Sequence, residues 1–104
     1  MSKRERLPDR RGAELVDFEH DRRRWTVTIG RYPDGRVAEL FIDAPKESPL
    51  VALAQDGALA ASLALQSGCP LETLRHALSG REAGPLRTAL ALIDAYQAQH
   101  KDSQ

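Results

Sequence analysis

The residue with the most reactive side chain is Cys69, the chain's one cysteine, inside SLALQSGCPLETLRHALSG at residues 62 to 80. A cysteine nucleophile needs a base to make the thiolate, usually histidine, and a third group to orient that base. The three histidines are His20, His76 and His100. His76 stands two turns into the helix expected after Cys69, His20 in an expected turn and His100 near the end of the chain. None has a spacing that brings it to the thiol. No pair of ligand types shows the close spacing of a metal site, and one cysteine excludes a disulfide framework or a cysteine-rich zinc site. Cys69 reads as a structural thiol at a helix–helix junction, and the chain is expected to hold no catalytic residue, metal or cofactor.

Other chemistry is carried by charge. Arg22, Arg23 and Arg24 follow His20 and Asp21, a cationic run that attracts anions and is read as a candidate anion contact. Glu39 and Asp43 are four apart on a strand, on one face but too distant to share a proton. The stretch GREAGP lacks the lysine–hydroxyl pair of a phosphate loop. Ala64, Gly68 and Leu74 sit at the offsets of a DNA-binding helix-turn-helix, with Arg75 and His76 available to a groove and Glu72 opposing them. Two antiparallel core helices joined by Gly-Cys-Pro explain the same offsets. The N-terminal stretch is basic, with Lys3, Arg4, Arg6, Arg10 and Arg11 against Glu5 and Asp9. Over the whole chain 15 basic residues balance 15 acidic ones, so net charge favours neither nucleic acid nor an acidic partner.

These residues must be held by elements the pattern makes legible. In 104 residues, 41% hydrophobic and 29% charged, there is one globular domain. The expected division is a flexible basic tail at 1–12, a single domain at 13–98 and a frayed end at 99–104. From Glu14 to Asp43 the apolar period is two. Val16 and Phe18, then Trp25, Val27 and Ile29, then Ala38, Leu40 and Ile42 alternate mostly with polar residues, as half-buried strands do. His20-Asp21-Arg22-Arg23 and Tyr32-Pro33-Asp34-Gly35 are the predicted turns. After Ala44-Pro45 the period becomes helical. Ser48 is the predicted N-cap with Pro49 at the first helical position, and the helix stops at Gly68. A short helix follows Pro70 with Leu71, Leu74 and Leu78 inward. A last one starts at Gly84-Pro85 with Leu86, Ala89, Leu90 and Ile93 inward. The fold class is therefore α+β, a three-stranded antiparallel meander followed by three helices packed on one face.

The helix over 49–66 is apolar nearly all round, with Gln55, Asp56, Ser62 and Gln66 as a narrow polar stripe. Such a helix is expected to be buried against several neighbours. Gly57, Ala61 and Ala64 place small residues three or four apart, which predicts close approach of another backbone and a homodimer through this helix. No apolar run reaches membrane-spanning length without interruption and no secretory leader is recognisable, so the chain reads as soluble and cytoplasmic, with no membrane partner.

GRVAELFIDAPKESPLVALAQDGALAASLALQSGCPLETLRHALSG, residues 35 to 80, resembles the TSCPD domain, which is found at the C-terminal end of cobalamin-dependent (class II) ribonucleotide reductases and as small free-standing proteins. The resemblance rests on the strand core Glu39-Leu40-Phe41-Ile42 and the connection Pro45-Lys46-Glu47-Ser48. A long Ala/Leu helix and the run Ser67-Gly68-Cys69-Pro70-Leu71-Glu72 complete it. Residues 14 to 34 match in pattern only. The Thr-Ser-Cys-Pro-Asp motif that names the family is absent, and Cys69-Pro70 is not its counterpart. Reductase chemistry needs a radical-bearing cysteine and a redox-active pair, which a single cysteine does not supply. The resemblance thus implies a free-standing, non-catalytic accessory or protein-binding module of nucleotide metabolism, whose partner is a ribonucleotide reductase or another protein. Two alternatives stand beside it. One is a small DNA-binding protein using residues 62–80 and the basic tail. The other is a component of a ribonucleoside-diphosphate reductase acting with another chain.

Overall fold

The computed structural model describes Glu5, residues 13–80 and residues 84–102, with side chains of the last helix through Ala95. Apart from Glu5, the expected basic tail lies outside the described residues. Three strands come first: β1 (Ala13–His20), β2 (Arg23–Arg31) and β3 (Val37–Asp43), joined as an antiparallel meander in the order β1-β2-β3. Three helices follow: α1 (Pro49–Gln66), α2 (Leu71–Leu78) and α3 (Pro85–Asp102). The chain is the α+β arrangement that the change of period predicts. The backbone of α3 is helical to Asp102.

The register puts alternate residues on opposite faces. Val16 faces Val27, which faces Ile42, and Phe18 faces Trp25, with their rings stacked at 6.5 Å. This face carries Trp25, Val27, Ile29, Leu40 and Ile42, all buried. It packs on Val51, Ala54, Ala58, Ala61 and Leu65 of α1 and on Ala89, Leu90 and Ile93 of α3. Leu71, Leu74 and Leu78 of α2 are only partly buried against the same core, so α2 is a cover and not a centre.

Two turns close the meander by different means. Asp21 and Arg22 form the β1–β2 turn with φ of 53° and 63°, the left-handed pair that matches strand twist but is normally left to Asn and Gly. His20, expected in this turn, is instead the last residue of β1, because two residues suffice to reverse the chain. In the β2–β3 turn the Gly35 N–H bonds the Tyr32 carbonyl at 2.9 Å and Gly35 takes φ 94°, as Pro-Asp-Gly predicts. Gly30 answers a close approach. A Cβ there would stand 2.7 Å from Cγ of Glu39, which lies across it beside a register shift.

The ends of α1 follow local chemistry. The Ser48 hydroxyl accepts the Val51 N–H, and Pro49 gives up no needed donor. At the other end the Cys69 N–H bonds the Ala64 carbonyl at 2.9 Å and the Gly68 N–H bonds that of Leu65 at 3.1 Å, with Gly68 at φ 99°. That is the Schellman arrangement, which satisfies carbonyls the helix leaves open.

Candidate functional site

The Schellman cap accounts for Cys69. Its backbone closes α1, its half-buried thiol makes one long contact to the Pro70 carbonyl at 3.7 Å, and Pro70 starts the next helix. Among the described residues no histidine bonds it. The His20 ring meets the Thr88 hydroxyl at 2.9 Å, its carbonyl accepts the Trp25 indole N–H, and His76 is exposed on α2. Thiol, Tyr32 and Arg36 share one shallow depression with Leu65 and Leu71. The cation in it is already engaged. Arg36 donates to the carboxylates of Asp34 and Glu5 and lies 4.7 Å from the centre of the Tyr32 ring. The Arg36 backbone N–H, and then its guanidinium, hold the Asp34 carboxyl below its ordinary titration range. The same partners, Asp34 first and Glu5 second, raise Arg36. Among the described residues no group of three metal-ligating side chains assembles, and no described helix is long and apolar enough to cross a membrane.

The arginine run is divided by its own secondary structure. Arg22 occupies the turn, while Arg23 and Arg24 are successive strand residues and so project to opposite faces of the sheet. All three are exposed. Arg75, expected as a solvated residue or a groove-reading cation, is paired within the chain. It is half-buried and its guanidinium holds the Asp94 carboxylate of α3 at 2.5 Å. The α2–α3 packing consumes this cation because Leu71, Leu74 and Leu78 turn the helix so that Arg75 faces its neighbour.

The largest departure lies in α1. Ser62 is 2% exposed, and its hydroxyl accepts the Leu40 N–H at 2.9 Å and reaches the Leu40 carbonyl at 3.0 Å. The Gln66 amide donates to the Ala38 carbonyl at 3.2 Å. These backbone groups belong to the outer edge of β3, the side away from β2. A sheet edge leaves donors and acceptors unmet, and burying them without partners is costly. Ser62 and Gln66 therefore point inward to serve β3, while Gln55 and Asp56 stay exposed and part of the apolar surface of α1 points out. Leu53 is 68% exposed, Leu59 54% and Leu63 43%. The helix is not buried all round.

The small residues expected at an interface are placed accordingly. Ala61 is 5% exposed, within the chain's own core, and Gly57 lies against Leu86 of α3, whose Cδ2 would sit 3.2 Å from an added Cβ. Ala64 is half-buried near the end of the helix. Replacing Ala61 by glutamate would thus report on folding before assembly. What faces outward, and what the apolar count of α1 did not reveal, includes Leu53, Leu59 and Leu63. Leu59 and Leu63 are neighbours one turn apart, and Leu53 lies about 120° round the helix from Leu59.

A family model described as the TSCPD domain matches residues 3–95, which takes in the sheet, α1, α2 and the core of α3. The chain belongs to the TSCPD domain family. Among curated proteins, this TSCPD chain is 35% identical over 85 residues to a vitamin B12-dependent ribonucleotide reductase of Rhodopirellula baltica, covering 81% of the chain and 8% of that protein. It is 38% identical over 73 residues to one from Bradyrhizobium diazoefficiens, covering 69% of the chain and 6% of that protein. The match to one from Agrobacterium fabrum is 39% over 70 residues, 66% of the chain and 6% of that protein. The TSCPD chain therefore spans less than a tenth of the length of these relatives. No solved structure matches it.

Proposed function

We propose that this TSCPD domain is a non-catalytic protein-binding module of ribonucleotide reduction, docking through the outer face of α1. The exposed leucines Leu53, Leu59 and Leu63 carry the reading. They are exposed apolar side chains on the outward half of a helix that turns Ser62 and Gln66 inward, with Asp56 exposed among them, a distribution that suits a surface meant to be covered. The relatives support a ribonucleotide reductase as the partner class. The single cysteine in these 104 residues favours an accessory role over reductase chemistry carried by them. Reading DNA with residues 62–80 has less to draw on, since Arg75 is held by Asp94.

Self-association through the same face is part of the proposal. Burying what the three leucines expose contributes about 4 kcal/mol per copy, which two copies set against an association cost of similar size. The dimer is therefore weak and concentration-dependent. Light scattering across micromolar concentrations tests it, with Leu53→Glu combined with Leu59→Glu as the variant. Wild type is expected to shift from monomer toward dimer, and the folded double variant to stay monomeric. A wild-type chain that remains monomeric throughout removes the homodimer. Equal capture of wild type and double variant by a vitamin B12-dependent reductase removes the docking face.

A further inference from the structure

The two edges of the sheet are treated differently. Ser62 and Gln66 occupy the edge of β3, as described above. Among the described residues none bonds the outer edge of β1. The two-residue turn at Asp21 and Arg22 makes His20 and Arg23 a hydrogen-bonded pair. Counting back along the register, Phe18, Val16 and Glu14 bond β2, while the N–H and C=O groups of Ala13, Leu15, Asp17 and Glu19 point away from the sheet. All four residues are exposed, and among the described residues no turn or loop backbone bond reaches them. We propose that this edge receives an extended segment of a partner protein in which basic residues alternate with apolar ones, added as a fourth strand.

The alternation follows from the two faces of β1. On the open face, away from the helices, Leu15 is followed by Asp17 and Glu19. The Thr26 hydroxyl donates to Asp17 at 2.7 Å, which leaves its charge in place. On the other face Val16 and Phe18 are half-buried against the core, and Glu14 is already paired with Arg31. A strand added beside β1 lies about 5 Å from it and about 10 Å from β2. It meets Asp17 and Glu19 at contact distance; Glu19 stands opposite Arg24 of β2 in the register, so Asp17 is the carboxylate that offers its charge without a cation across from it. Basic side chains on its open face are thus attracted, and apolar ones on its other face extend the packing of Val16 and Phe18. Backbone bonds supply affinity and the alternating side chains supply specificity, as in other strand-addition complexes.

Charge also decides against a second copy as the occupant. The antiparallel register that pairs all four outward residues of two β1 strands sets Asp17 against Leu15 and Glu19 against Ala13. The second copy then brings no cation to either carboxylate, and Asp17 is left with none. β1 and β3 are the two opposite edges of the sheet, and α1 packs on β3.

The probe is a fluorescein-labelled hexapeptide alternating valine and arginine, followed by anisotropy and by amide exchange on the intact chain. Binding is expected to slow exchange of the Leu15, Asp17 and Glu19 amides by about tenfold or more. Asp17→Asn with Glu19→Gln, two exposed and nearly isosteric changes, is expected to weaken binding about tenfold. N-methylation of alternate peptide amides should abolish it. The proposal is overturned if a peptide of the same composition in two blocks binds equally well, since that is attraction without strand pairing. It is also overturned if exchange slows elsewhere but not on β1. Slowing of the β1 amides with protein concentration and no peptide would assign the edge to a second copy and overturn the occupant named here.

Discussion

Ser62→Ala tests the idea that α1 is oriented by the edge of β3. The hydroxyl oxygen accepts the Leu40 N–H at 2.9 Å, and its single proton lies between the carbonyls of Leu40 at 3.0 Å and Ala58 at 2.8 Å. Ala58 belongs to α1, so its carbonyl keeps an intrahelical partner in the variant. The Leu40 N–H keeps none, and Leu40 is fully buried. An unmet buried donor costs about 1–3 kcal/mol. A loss of about 2 kcal/mol is a large share of the roughly 5–15 kcal/mol that holds a domain of this size, and it lowers Tm by about 10 °C. Urea unfolding, with an unchanged slope, measures the loss, and exchange of the Leu40 amide locates it. The control is Leu53→Gln, which removes a leucine from the exposed face and is expected to stay within about 0.5 kcal/mol of wild type. Deleting one hydroxyl is thus expected to cost more than deleting a leucine from the same helix. A Ser62→Ala protein that loses less than about 0.5 kcal/mol, or whose Leu40 amide exchanges as in wild type, refutes the reasoning.

Two further outcomes follow from single contacts. Arg22→Gly relieves a non-glycine residue at φ 63° and is expected to raise stability by about 1 kcal/mol in thermal unfolding. Arg75→Ala breaks the pair with Asp94, whose side chains are both about half exposed, so the expected loss is under about 1 kcal/mol and shrinks in high salt. Asp94→Ala should give a similar loss and the double variant no more than either alone. Duplex DNA affinity, read by anisotropy, is expected to be unchanged by Arg75→Ala.

The elements were legible because they are fixed by short-range chemistry. Period-two apolar residues from Val16 to Ile42, the Pro33-Asp34-Gly35 turn, the Ser48-Pro49 start and the Gly68 stop each depend on a few neighbours in the chain. The order of three strands and three helices follows from them. The run Ser67-Gly68-Cys69-Pro70 was likewise readable as a junction, and the Schellman bonds give its reason. What the sequence by itself left open is direction. Counting apolar residues around α1 makes every side look suited to burial, and it makes Ser62 and Gln66 look like a solvent stripe. The opposite holds, because β3 has its outer edge under that helix and its N–H and carbonyl groups outweigh the burial of Leu53, Leu59 and Leu63. Only the packing of a strand and a helix separated by 22 residues, Leu40 and Ser62, creates that demand. The same is true of Arg75, whose partner Asp94 is 19 residues away. Local sequence determined which elements form, and the unmet polar groups those elements bring together decided which way each one faces.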